Sequence, residues 1–214
     1  MTNFPSTINE FLSGHVFLFN KPIGWTSFDV VKKVKYLISK KYNIKKIKVG
    51  HAGTLDPLAE GLLIICTGKF TKKISSIQSQ EKTYIGTITL GETTPSYDLE
   101  TKIDAKYPTG HITNDLIYKT SKKFIGKIKQ TPPIFSALKK DGERLYKKAR
   151  RGEKISLEKR NVVVREFNII SIESLNIQFE IKCSKGTYIR SIANDFGKEL
   201  NSGGYLKKLC RTAI

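Results

Sequence analysis

Apolar and polar residues alternate most regularly over residues 81–91, where Tyr84, Gly86, Ile88 and Leu90 share one face, and this period of two predicts a half-buried strand. Further strands are predicted at 14–20, 160–170 and 177–183, the last two joined through 172–176 as a hairpin. A helical period replaces the alternation after Trp25. Val30, Val31, Val34, Leu37 and Ile38 recur on one side, and Lys32, Lys33, Lys35, Lys40 and Lys41 occupy the other. Thr26 or Ser27 caps this helix, with Asp29 at capping-box spacing from Thr26. Helices are also predicted at 114–124, at 143–152 and at 188–200, the last burying Ile189, Ile192, Ala193, Phe196 and Leu200. The apolar run Leu62–Cys66 reads as a buried strand or a short helix, residues 92–109 as a long loop, and the first dozen residues as a weakly ordered lead-in. Several antiparallel strands with interspersed helices make an α+β domain: a mixed, largely antiparallel central sheet with flanking helices.

Charge sharpens this picture. The 214 residues carry 38 Lys+Arg against 19 Asp+Glu, a formal net charge of +19, which points to a polyanionic partner, nucleic acid first. No run approaches the roughly 18 apolar residues of a spanning helix, so no membrane partner is expected. Cys66, Cys183 and Cys210 lie far apart and only three histidines are present, so neither a metal site nor a disulfide framework is expected. Residues 1–10 lack the regions of a signal peptide, which makes a cytoplasmic protein the expectation.

Candidate chemistry concentrates in residues 50–61, Gly-His-Ala-Gly-Thr-Leu-Asp-Pro-Leu-Ala-Glu-Gly. Glycines let a backbone approach a ligand closely, and Pro57 restricts how the Asp56 carboxylate is presented. The competing reading makes Asp56 an ordinary turn residue. Tyr84 either caps a core or presents its ring to a cleft beside the small Gly86. Arg190, at the start of a helix where a cation opposes the dipole, is either a surface residue or the partner of a carboxylate. Residues 139–154 are strongly basic, with Phe135 before them and Tyr146 among them, a mixture suited to gripping RNA.

Five ordered motifs then resemble those of the TruB family of tRNA pseudouridine-55 synthases: Lys21-Pro22-Ile23-Gly24-Trp25-Thr26-Ser27, Gly50-His51-Ala52-Gly53-Thr54-Leu55-Asp56-Pro57, Lys82-Thr83-Tyr84, Gln130-Thr131-Pro132-Pro133 with Phe135-Ser136-Ala137, and Ser184-Lys185-Gly186-Thr187-Tyr188-Ile189-Arg190-Ser191. The resemblance spans residues 15–212. It implies a pseudouridine synthase fold acting on the T-arm of tRNA as a monomer, with no cofactor and no metal. It casts Asp56, Arg190 and Tyr84 as catalytic: the carboxylate beside C1′, the cation that pairs with it and the ring that stacks on the target base. His51 would fill the gap left by the flipped base, Tyr188 would lie near the reacting groups, Leu209 would line an apolar wall, and Lys21 counts among the substrate-binding residues. Residues 133–158 match a mobile thumb within one catalytic domain over 1–214, and the resemblance implies that the usual C-terminal RNA-binding domain is absent. The alternative is a protein of the same fold that binds or folds RNA with little catalysis.

Overall fold

The computed structural model describes residues 5–153 and 155–214, so positions 1–4 of the expected lead-in and position 154 of the basic stretch lie outside the described residues. The chain divides into two compact units, residues 1–82 with 210–214, and residues 83–209.

In the first unit the expected weakly ordered lead-in is partly helical. Helix α1 (Ile8–Ser13) occupies part of the expected lead-in, because Thr7 and Glu10 form a reciprocal capping box and Phe11 is buried. Strand β1 (Val16–Lys21) and helix α2 (Ser27–Tyr42) follow, the latter with the expected Thr26–Asp29 capping box. Val30, Val31, Val34 and Ile38 of α2 pack with Phe11, Ile47, Leu63 and Ile65. Leu37 does not join them: at the margin of the stripe it is 51% exposed. Strands β2 (Val49–His51) and β3 (Ala59–Thr67) pair antiparallel, so residues 52–58 are a hairpin loop with Asp56 within it. The ambiguous run in β3 is a strand. It is apolar throughout because Leu63 and Ile65 face one cluster while Ile64 and Cys66 face another that includes Ala52, Ile74 and Ile77. A 3-10 turn (Gly68–Lys73) and helix α3 (Ile74–Gln78) close the run.

In the second unit, β4 (Lys82–Leu90) shows the expected alternation, with Tyr84, Gly86, Ile88 and Leu90 buried. The smallness of Gly86 serves packing: a Cβ there would meet the Phe179 ring at 2.7 Å and the Lys208 carbonyl at 2.6 Å. The expected loop over 92–109 contains a small ribbon, β5 (Glu92–Thr93) with β6 (Ala105–Lys106). Helix α4 (Asn114–Lys123) leads to β7 (Gly126–Gln130), a strand the pattern did not mark. Next comes a hairpin, β8 (Lys139–Lys140) and β9 (Glu143–Arg144), turned by Asp141 and Gly142 at positive φ, and helix α5 (Leu145–Arg150). The helix expected from 143 therefore starts two residues later. Strand β10 (Arg160–Glu173) pairs antiparallel with β7 and with β11 (Asn176–Cys183). Helix α6 (Ile189–Glu199) buries Ile189, Ile192, Ala193 and Phe196, its C-cap residue Leu200 is buried as well, and β12 (Gly204–Ala213) runs from this unit into the first. Like β7, β12 was missed, since Lys207 and Lys208 interrupt its apolar residues. Helices and antiparallel pairs make the chain α+β, the expected class; a parallel bridge, Asp98 to Leu206, makes its pairing mixed.

Gly61 sits at φ +101°, and a Cβ there would lie 2.3 Å from the Arg211 carbonyl oxygen. Gly61→Ala is expected to lower unfolding free energy by at least about 2 kcal/mol, from left-handed strain together with a backbone clash. A denaturant midpoint at the wild-type value would contradict this.

Candidate functional site

In the first unit, the hairpin loop of Asp56 cannot satisfy its own backbone, and neighbouring elements do so. Ser27, buried in the first turn of α2, accepts from the Leu55 N–H at 2.8 Å and donates to the Leu55 carbonyl at 3.2 Å. One hydroxyl thus brackets the residue before Asp56. On the other flank, the Gly24 N–H donates to the Pro57 carbonyl at 2.8 Å, and the Ala59 N–H closes back on the Asp56 carbonyl at 3.0 Å. The Lys-Pro-Ile-Gly-Trp-Thr-Ser motif therefore positions the Asp-Pro loop through its backbone.

Two buried cations complete the frame. Lys21 is fully buried, and its ammonium donates to the Pro22 and Trp25 carbonyls at 2.9 and 2.6 Å, fixing the turn that carries Gly24. Burial pushes its pKa below the ordinary value, and the charges of Asp56 and Glu60 oppose that shift. Arg211, also buried, donates from Nε to the Leu62 carbonyl at 2.8 Å and from Nη2 to the Gly53 carbonyl at 3.1 Å. Sequence reasoning missed Arg211. It lies 158 positions from Gly53, and no local spacing announces that a cation will be buried there.

His51 ends β2, partly buried. Its Nδ1 has no hydrogen-bond partner among the described residues. Burial lowers its pKa, the Gly53 backbone offsets part of that, and the Arg211 charge adds to the lowering.

The second unit holds Tyr84, Tyr188, Arg190 and Leu209. Arg190 is not a surface residue: at 3% exposure it donates from Nη1 to the Ser96 carbonyl at 3.2 Å and lies 3.4 Å from the buried Asp98 carboxylate. Asp98 is thus a carboxylate facing the cation that opposes the α6 dipole. The turn carrying it is tied by Thr94 Oγ1 and Ser96 Oγ, both donating to the Asp98 carbonyl at 2.6 and 3.1 Å, while Asp98 Oδ1 accepts from the Glu100 N–H at 2.9 Å. Sequence reasoning missed Asp98 because it lies within an apparently featureless loop.

Tyr188, partly buried, is the N-cap residue of α6 and makes no side-chain cap. Gln130 holds its backbone: its Oε1 accepts from the Tyr188 N–H at 2.8 Å and its Nε2 donates to the Tyr188 carbonyl at 3.0 Å. Ser191 Oγ donates to the Thr131 carbonyl at 2.7 Å. The Gln-Thr-Pro-Pro motif therefore clamps the motif carrying Arg190, as the Lys-Pro motif clamps that carrying Asp56. Tyr84 is buried on β4, and Leu209 is partly buried on β12. No group of three or more His, Cys, Asp or Glu side chains among the described residues could hold a metal ion, and no helix among them is long and apolar enough to cross a membrane.

A histidine whose folded pKa is depressed favours the fold while neutral. Its contribution is full above the unfolded value of 6.5 and is lost as pH falls from there toward the folded pKa. The His51 ring is expected to titrate below 6.5 by NMR, and His51→Gln to weaken the fall in stability below that pH. A His51 midpoint above 6.5 would contradict the burial argument.

Comparison with known proteins agrees with the motifs. Residues 39–189 match the model of the TruB family pseudouridylate synthase N-terminal domain. The chain is 58% identical over 209 residues to tRNA pseudouridine synthase B of Flavobacterium johnsoniae, covering 97% of this chain and 91% of that protein. It is 52% identical over 205 residues to the protein of that name from Parabacteroides distasonis, covering 96% and 87%. Among solved structures it resembles a Cbf5-Nop10-Gar1 complex, with TM-score 0.70 and 28% identity, over 94% of this chain and 49% of the other. It also resembles an H/ACA RNP bound to a substrate RNA containing 2'-deoxyuridine, with TM-score 0.68 and 25% identity, over 96% and 49%. The chain thus spans about half the length of those solved chains. The relatives' identity and coverage, the family match and the five motifs lead to one assignment: this chain belongs to the TruB family of pseudouridylate synthases.

Proposed function

We propose that the chain isomerises a uridine of tRNA to pseudouridine, at position 55 of the T-arm, acting as a monomer in the cytoplasm. The observation that carries this reading is the backbone-clamped presentation of Asp56 in a chain so similar to proteins named tRNA pseudouridine synthase B. The reaction breaks the N1–C1′ bond and joins C1′ to C5 of the same base. C5 loses a proton and N1 gains one, so composition and oxidation state are unchanged and no cofactor is called for.

Asp56 supplies the carboxylate at the ribose, and its rigid loop serves the near-attack geometry on which such a step depends. Arg190 supplies the cation of the site, and Asp98 positions Arg190. Tyr84 stacks on the extruded base, which returns roughly 1–3 kcal/mol against a flipping cost of a few. His51 occupies the gap in the RNA stack, with Tyr188 and Leu209 beside the base. The internal hydrogen bonds of Lys21 support a positioning part in substrate binding, through the turn that carries Gly24. Residues 133–158 act as the thumb that grips the arm, and their exposed Lys and Arg suit a phosphate backbone.

Mapping pseudouridine in unmodified tRNA after incubation with the chain tests this directly. Product is expected at one T-arm uridine. Asp56→Asn is expected to abolish it with tRNA affinity within about threefold of wild type, and Asp98→Asn to lower the rate constant more than the affinity. Tight binding by the wild type without product would instead favour a protein that only binds or folds RNA.

A further inference from the structure

The outer face of α2 exposes large aromatic residues where a solvated helix needs none. Phe28 and Tyr36 are 58% and 55% exposed, and Trp25 stands exposed at the helix entrance. Phe28, Lys32, Tyr36 and Lys40 are each four residues apart, about 6 Å per step along one helical face. Rings and cations alternate along this stripe, with Lys32 Nζ 4.8 Å from the Phe28 ring centroid and Lys40 Nζ 5.9 Å from that of Tyr36. Beside it lies an open depression of about 490 Å³ lined by Gly24, Trp25, Asp29, Lys32, Lys33 and Tyr36. Among the described residues Asp29 is the one carboxylate on its wall. Its Oδ2 already accepts from the Thr26 N–H at 3.1 Å and the Thr26 hydroxyl at 2.6 Å, and Lys32 lies 4.0 Å from its Oδ1.

We propose that this depression is a second RNA-binding site, in which Trp25 and Tyr36 stack on an unstacked base and Lys32 and Lys33 take the adjoining phosphates. It rests on the reading that the substrate is an RNA. Charge selects the occupant: α2 carries five lysines and one acid, which suits a polyanion better than a protein surface of mixed charge. Exposed rings select an RNA with splayed bases over a closed duplex, because every base offers a π-face that a duplex hides. The site also adjoins the Asp56 loop. The Gly24 N–H on its wall is bonded to Pro57, and the Trp25 carbonyl is held by Lys21, so the wall belongs to the clamped turn.

Fluorescence anisotropy with whole unmodified tRNA tests this on the full chain. Tyr36→Ala is expected to raise Kd roughly tenfold, while Tyr36→Phe, which keeps the ring, stays near wild type. Lys32→Glu with Lys33→Glu should flatten the log–log salt slope by about 1.5, from two lost phosphate contacts. Tyr36→Ala and the double variant both matching wild type in Kd and slope would overturn the proposal. So would variants that alter only self-association in sedimentation, which would mark a protein interface. Turnover of an isolated T-arm stem-loop by the wild type reports separately on the proposed function: no product there overturns that reading, and the affinity comparison still judges the α2 site.

Discussion

A loop inside a folded protein must find partners for its backbone N–H and C=O groups, and each buried group left unmet costs about 1–3 kcal/mol. The two chemistry-bearing segments of this chain meet that constraint in the same way. A single side chain brackets one residue as a neighbouring strand would, taking its N–H and giving to its carbonyl: Ser27 does so for Leu55 and Gln130 for Tyr188. Each bracket sits one or two residues from a candidate functional side chain, Asp56 or Arg190. The side chains of these loops are left for other work because their backbones are held from outside.

Buried cations extend the principle. Lys21 donates to the Pro22 and Trp25 carbonyls of the Gly24 turn and Arg211 to the Leu62 and Gly53 carbonyls, so both cations shape the frame of the Asp56 hairpin. Removing either would leave carbonyls without donors as well as a hole where a large side chain had been. Arg190 differs, because a buried carboxylate, Asp98, faces it and backs it with a positive-φ turn at Tyr97. Rigid presentation of candidate reactive groups by side chains that hold their backbones is what a rearrangement within one nucleotide requires, since the reacting atoms must stay aligned after the first bond breaks.

Much of this was legible in the sequence where the signal is local. Alternation marked β4, the apolar stripe and capping box marked α2, and glycines with an Asp-Pro pair marked the hairpin loop. Leu37 was misplaced because it sits at the margin of that stripe. The β3 run could not be told from a helix, since a strand buried on both faces loses its alternation. Strands β7 and β12 were missed because lysines break their patterns. Asp98 and Arg211 were missed for a different reason: their importance arises from what they meet far along the chain, and spacing carries no record of that. The motifs marked two segments of candidate chemistry, and in the structure two further motifs clamp the backbones of those segments.

Ser27 is expected to act through geometry at Asp56 rather than through contact with RNA. Single-turnover formation of pseudouridine by Ser27→Ala, measured at a temperature where the variant remains folded and with tRNA saturating, tests it most directly. A rate constant lowered about 10- to 100-fold with tRNA affinity unchanged is expected. A wild-type rate constant in the folded variant would contradict it.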